Sequence, residues 1–214
     1  IPGPRGLRKK SSTPRPLRAK RSQATDSEPH GLCQCVLKHR HETPFEKIVF
    51  EFNIKCPIFV ARQWVRHRIG SFNERSARYR VFKEEYFVPE LSTLPEVMDQ
   101  SDIEAYEEAL QHSYEVYNRI IEKVKPYKEY RSRTREVFRG LLGTSYYTEF
   151  FWTVNFRSLM NFLSLRTHET AQYEIRVYAN VICDLVRDKI PISWEAFETF
   201  VLKHEEVDDP RLKR

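Results

Sequence analysis

The chain has 214 residues, 40% hydrophobic and 13% aromatic, which suits one large domain with its own core and excludes a disordered polymer. No apolar run approaches the length of a membrane-spanning helix, so no membrane partner is expected. The net charge of +6 is local: residues 1–30 hold eight basic and two acidic residues, and residues 31–214 hold 28 of each, so the body lacks the general basic surface of a nucleic-acid binder.

Residues 1–28 are rich in Pro, Ser, Arg and Lys without apolar periodicity, and are expected to form a disordered basic extension. Such a tail is either solvated or a contact for nucleic acid or anionic membrane. The chain opens at Ile1 without an initiator Met, as in a fragment or processed form, and no apolar signal segment follows. The spacing then predicts a domain over 29–205 and a tail over 206–214.

A short helix is expected over 29–39, with Leu32, Cys35 and Val36 on one face, and then a turn at 41–46 in which Pro44 stops the helix. Over 47–55, Ile48, Phe50, Phe52 and Ile54 alternate with more polar positions, the pattern of a strand with one buried face. Pro57 is expected to open a helix over 57–68, with Gly70 ending it and 71–79 a polar loop. Residues 80–100 read as irregular. Next come a helix over 101–123 capped by Ser101, a shorter helix over 134–142 closed by Gly143, and an aromatic strand over 145–154. Three helices follow: one capped by Asn155, one over 170–189, and one over 193–203 capped by Ser193. The sum is α+β, with helices dominating.

The chemistry concentrates at 66–79, where Arg66, Arg68, Arg75 and Arg78 are interleaved with Ser71, Asn73, Glu74 and Ser76. Guanidinium forks match phosphate and carboxylate oxygens, and four of them cannot enter a core unpartnered. The run reads as a pocket for a phosphorylated ligand with a polar, planar head. On the preceding helix, Gln63, Arg66 and His67 would share a face that ends at this loop; the alternative is a solvated basic helix end. Asn155, Arg157, Asn161 and Arg166 form a second polar set at a helix N-terminus suited to anions, or an ordinary cap and surface face. His39, Arg40, His41 and Glu42 have no metal-site spacing, and no metal is expected. Cys33, Cys35, Cys56 and Cys183 are sparse, as befits reduced thiols in a cytoplasm-like compartment. No Gly-x-Gly-x-x-Gly, P-loop or Gly-x-Ser-x-Gly occurs, so a bound nucleotide must be held by side chains and helix ends.

The pattern Arg-His-Arg-x-x-Ser-x-Asn-x-x-Ser-x-Arg-Tyr, at Arg66, His67, Arg68, Ser71, Asn73, Ser76, Arg78 and Tyr79, resembles the signature of the flavin-dependent thymidylate synthases. His-Glu-Thr-Pro-Phe-Glu at 41–46, Pro-Ile-Phe-Val-Ala-Arg-Gln-Trp at 57–64, Phe-Trp-Thr-Val-Asn-Phe-Arg-Ser-Leu-Met-Asn-Phe at 151–162 and Ala-Gln-Tyr-Glu-Ile-Arg at 171–176 agree with it in the same order. The resemblance covers about residues 31–203. It implies a central antiparallel or mixed sheet flanked by helices, and a homotetramer with shared active sites and FAD at subunit interfaces. The implied reaction makes dTMP from dUMP, with methylenetetrahydrofolate as carbon donor and NADPH as reductant.

By the same resemblance, Gln63, Arg66, Glu74, Arg75, Ser76, Arg78, Arg139 and Arg166 would surround dUMP, with Arg139 supplied by a neighbouring subunit. Thr43, Glu46, Arg66, His67, Arg68, Asn73, Glu74, Asn155, Arg157 and Asn161 would hold FAD, and His41 would shape the folate and flavin side. The catalytic roles fall to Arg166, Glu74 and Arg66, with Arg166 stabilising enolate-like charge on the uracil. No cysteine nucleophile is implied, and Ser76 is expected to bind dUMP rather than to attack it. The chain departs from the family's pattern at His168, Thr170 and Glu149, and residues 1–28 do not look like the family's first strand and helix. Two other readings stand beside the enzyme: a nucleic-acid binder using the tail and arginine loop, and an inactive relative.

Overall fold

The computed structural model describes residues 18–21, 30–76, 81 and 83–202. In chain order its elements are β1 (Arg18–Arg21), α1 (His30–Lys38), β2 (Val49–Pro57), α2 (Ile58–Trp64), β3 (Ser71–Glu74), α3 (Gln100–Val124), α4 (Arg131–Phe138), β4 (Tyr147–Asn155), α5 (Phe156–Thr167), α6 (Tyr173–Arg187) and α7 (Pro191–Phe200). The class is α+β and helix-rich, as expected. The four strands form one sheet in the order β1-β2-β4-β3.

Period two shapes β2. Phe50, Phe52, Ile54 and Cys56 are buried, while Val49, Glu51, Asn53 and Lys55 are only partly covered. The strand runs past its expected end, so Pro57 is its last residue rather than the first of a helix. At the strand's other end, Arg18–Arg21 pairs antiparallel with Phe50–Asn53, with Arg18 opposite Asn53. Disorder over 1–28 therefore does not hold for these four residues: β2 offers backbone groups that a further strand satisfies. The remainder of 1–28 and the tail over 206–214 lie outside the described residues.

The chain divides into two compact units. One includes Lys55–Ala61 and Glu74–Glu149. Its core centres on Tyr117, Leu142 and Tyr146, with Ile58, Leu110, Tyr114 and Ile121 packed against them. The first N–H groups of α2, which no helix can satisfy internally, donate outward: Ile58 to the carbonyl of Tyr146 at 2.9 Å and Phe59 to that of Thr144 at 3.0 Å. Asp99, not Ser101, caps α3, through a capping box in which Asp99 Oδ1 accepts from the Ser101 N–H at 2.7 Å and the Asp99 N–H donates to Asp102 at 2.9 Å. The helix expected over 134–142 lies earlier as α4, followed by a 3-10 turn at Arg139–Leu141.

The other unit includes, among the described residues, 18–21, 30–54, 62–73 and 150–202. Its core is aromatic: Phe45, Phe52, Trp64, Trp152, Phe156, Phe162 and Phe197 are all at most 2% exposed. Trp152 packs against Phe52, Trp64 and Phe162 with ring centroids 5.8, 5.4 and 5.0 Å away. Helices α5 and α6 pack together, and α1 lies on α7. Asn155 caps α5 as expected, its side chain accepting from the Ser158 N–H at 2.9 Å. Ser193 does not cap α7; Ile190 holds that position with Pro191 at the start, and Ser193 is buried 3.6 Å from the Cys33 sulfur. Pro44 lies in the first turn of a 3-10 helix at Thr43–Lys47 instead of stopping α1, which ends at Lys38; Arg40, just beyond it, has φ 58°.

Candidate functional site

In the aromatic unit the site grows from the end of α2. Trp64 is fully buried and stacks on Phe162 at 4.9 Å, which anchors the last helical turn. The helix stops there, earlier than expected, so Arg66 and His67 sit on a turn rather than on one helix face; their N–H groups donate to Gln63 and Trp64 carbonyls at 3.3 and 3.0 Å. Gly70 lets the following loop lie against β4. A Cβ at this position would meet Trp152 Nε1 at 2.8 Å and the Thr153 carbonyl at 3.1 Å. Residues 71–74, expected as loop, are β3, whose short, mostly exposed run leaves no alternation to read.

His67 and Arg166 come together 99 positions apart in sequence: Arg166 Nε donates to His67 Nε2 at 3.0 Å. An accepting Nε2 requires a neutral ring with its proton on Nδ1. Burial, then the positive Arg166, hold the His67 pKa down at about 4, against its usual 6.5. Phe162 meets the imidazole edge-on at 4.9 Å, so one phenyl ring fixes both Trp64 and His67. Burial also pulls the half-buried Arg166 below the ordinary guanidinium value, though it remains a cation at neutral pH. Its fork has no carboxylate partner among the described residues.

Arg157, expected at the flavin, is already engaged. Its Nε donates to Glu42 at 2.9 Å and its Nη1 to Glu46 at 2.7 Å. These bonds, to Glu42 first, raise its pKa above the usual value. The trio thus unites two expected positions, Glu46 and Arg157, with Glu42, which sequence reading did not select; 115 positions separate Glu42 from Arg157, and no local signal marks such a pair. Asn155 has its side chain committed to the cap, while Asn161, Thr43 and His41 are exposed. Arg66, Arg68 and Asn73 are exposed as well, and the two arginines make no ion pair among the described residues.

Gln63 is joined to α6. Its Nε2 donates to Gln172 Oε1, and Gln172 Nε2 donates to Glu174 Oε2 at 2.7 Å. Both partners lie in the 171–176 segment, whose pattern was legible but whose contacts were not.

In the other unit, Glu74 accepts from the Thr148 hydroxyl. Arg75 is bound twice to Glu149, by backbone N–H to carbonyl at 2.9 Å and by Nη1 to carboxylate at 2.8 Å. Glu149, a departure from the family's pattern, thereby occupies one of the expected dUMP arginines. Ser76 and Arg139 are exposed. Arg78 and Tyr79 lie outside the described residues. Cys56 is fully buried, and burial first, then Glu74, push its thiol far above the usual range; Cys183 is pushed up to about 12, mainly by burial. Neither supplies a thiolate at neutral pH. No disulfide joins any of the four cysteines. No group of three or more metal-binding side chains occurs among the described residues, and no helix there is long and apolar enough to cross a membrane.

The family model described as thymidylate synthase complementing protein matches residues 7–192. The flavin-dependent thymidylate synthase of Thermosipho africanus is 42% identical over 192 residues, covering 84% of this chain and 81% of that protein. The chain belongs to the flavin-dependent thymidylate synthase family. The flavin-dependent thymidylate synthase of Thermotoga neapolitana is 43% identical over 174 residues, covering 80% of this chain and 77% of that protein. The match from residue 7 corrects the expectation that the family likeness begins near residue 31. A crystal structure of the UMP/dUMP methylase PolB from Streptomyces cacaoi bound with 5-Br UMP superposes with a TM-score of 0.71 at 28% identity, covering 86% of this chain and 95% of that one. The same methylase bound with 5-Br dUMP gives 0.70 at 27% identity.

The donor set can be tested against the ligands of a flavin-dependent thymidylate synthase. An anionic nucleotide needs cations that are not already neutralised. Arg66, Arg68 and Arg166 meet that need. Arg157 fits only as a hydrogen-bond donor, because two carboxylates already surround it.

Proposed function

We propose that this chain is a thymidylate synthase that methylates dUMP to dTMP with methylenetetrahydrofolate as carbon donor, FAD as cofactor and NADPH as reductant. The observation that carries the reading is Arg166: a half-buried guanidinium steadied by a neutral histidine and free of carboxylate partners among the described residues. Such a group has its charge available for oxygen that becomes negative during a reaction.

FAD, when bound and reduced by NADPH, would supply the hydride that completes the methyl group. The side chains do the rest. Arg66, Arg78 and Arg139 hold the dUMP phosphate, with Ser76 as a neutral donor, and Gln63 orients the nucleotide. Arg166 lies at the uracil carbonyls and stabilises the enolate-like charge that builds as carbon 5 attacks the methylene carbon. His67, accepting from Nε, leaves both Nη groups of Arg166 for that task. Glu74, its carboxylate steadied by Thr148, accepts from a donor on the nucleotide. Arg68, Asn73, Asn161 and Thr43 serve FAD, together with Arg157 held by Glu42 and Glu46, and His41 faces the folate side. Arg75 is a weaker dUMP ligand than expected, since Glu149 competes for it.

The active assembly in this reading is a homotetramer in which Arg139 serves a neighbouring subunit's site, and cysteines outside any disulfide suit the cytoplasm. The purified protein should show a bound-flavin absorption spectrum, as isolated or after FAD is added and excess removed. A protein that stays colourless after that treatment refutes the proposal.

A further inference from the structure

We infer that Glu174 and Gln172 are positioning residues that fix which end of the Gln63 amide is left for the nucleotide. An ionised carboxylate can only accept hydrogen bonds. Glu174 therefore holds Gln172 by its Nε2, at 2.7 Å. That choice turns Gln172 Oε1 toward Gln63, where it accepts from Gln63 Nε2. The direction set at Glu174 thus passes through two amides, each of which alone would accept either orientation. Gln63 is left with its carbonyl oxygen and one N–H. Gln172 occupies the N-cap position of α6 without making a cap bond, so its side chain is available for this contact. The inference rests on the reading of Gln63 as a dUMP ligand.

The test is dUMP binding by calorimetry to FAD-loaded protein, with flavin content and circular dichroism as controls, and the kcat and KM split for dUMP. Glu174→Gln keeps the shape but loses the direction; at equal populations of the two orientations, the dissociation constant rises about twofold. Glu174→Lys can only donate, reverses both amides and occupies the Gln63 carbonyl; binding weakens about tenfold. KM rises in the same order while kcat holds. Added positive charge should by Coulomb's law tighten an anion's binding, so weakening by Lys identifies the amide order as the cause. In a Gln63→Ala background both effects vanish. The relay is overturned if the Glu174 variants bind dUMP as wild type does, or if their effects persist in full beside Gln63→Ala. Should Gln63→Ala itself leave dUMP binding unchanged, Gln63 is no ligand and the relay goes with it, while the proposed activity stands. A wild-type protein that binds FAD but not dUMP refutes the activity itself.

Discussion

Replacing Gly70 by Ala places a methyl group where Trp152 Nε1 would be 2.8 Å away and the Thr153 carbonyl 3.1 Å away. Neither neighbour yields cheaply. Trp152 is fully buried, with Phe52, Trp64, Phe72 and Phe162 rings at 5.8, 5.4, 6.2 and 5.0 Å, and the carbonyl belongs to β4. The loop must lift instead, carrying Arg66, His67 and Arg68 with it. Overpacking of this kind costs about 2 kcal/mol, or about 4–8 °C in Tm for a chain of this size. Displacing groups that grip the substrate should also lower kcat/KM for dUMP at least tenfold, roughly. Gly140→Ala is the control, because a Cβ there meets nothing within 4 Å. Differential scanning calorimetry and steady-state kinetics on both variants decide the matter. Equal Tm and equal kcat/KM for Gly70→Ala and wild type would refute the idea that this close approach positions the arginine turn.

Removing the His67 acceptor by His67→Ala should cost about 2 kcal/mol of transition-state stabilisation, or roughly 30-fold in kcat/KM. His67→Gln, whose amide oxygen still accepts from Arg166, should recover most of it; equal losses in the two variants would count against the contact. The depressed His67 pKa also predicts a pH effect. Between about 4 and 6.5 the unfolded chain binds the proton that the folded chain refuses, so stability rises with pH across that window and levels off above it. Urea midpoints for His67→Gln should rise less steeply there than for wild type, and parallel curves would show that another group titrates. Cys56→Ala should keep turnover within about twofold while lowering stability by about 1 kcal/mol; a folded but inactive variant would reopen covalent catalysis.

Local physics was legible in the chain. The alternation of Phe50, Phe52 and Ile54 gave β2 its buried face, and Asn155 before an apolar stripe marked the start of α5. Boundaries failed where two residues competed for one task. Asp99 and Ser101 both suit a cap, and the reciprocal bond that Asp102 accepts from the Asp99 N–H favours Asp99. Pro57 suits a helix start or a strand end, and the buried Cys56 on the strand's inner face kept the strand going. The arginine-rich run stood out by composition, but composition does not tell which charges are spoken for. Arg75 with Glu149 and Arg157 with Glu42 and Glu46 are long-range pairings, invisible to spacing. The same holds for His67 with Arg166, which turns a residue read as a flavin contact into the partner of the proposed catalytic cation.

The central claim is tested most directly by incubating purified protein with FAD, methylenetetrahydrofolate, NADPH and dUMP, and measuring NADPH oxidation alongside dTMP. The account predicts dTMP formed in proportion to NADPH consumed, with none formed when dUMP, methylenetetrahydrofolate or NADPH is left out. Flavin-loaded, folded protein that forms no dTMP from the complete mixture would contradict it.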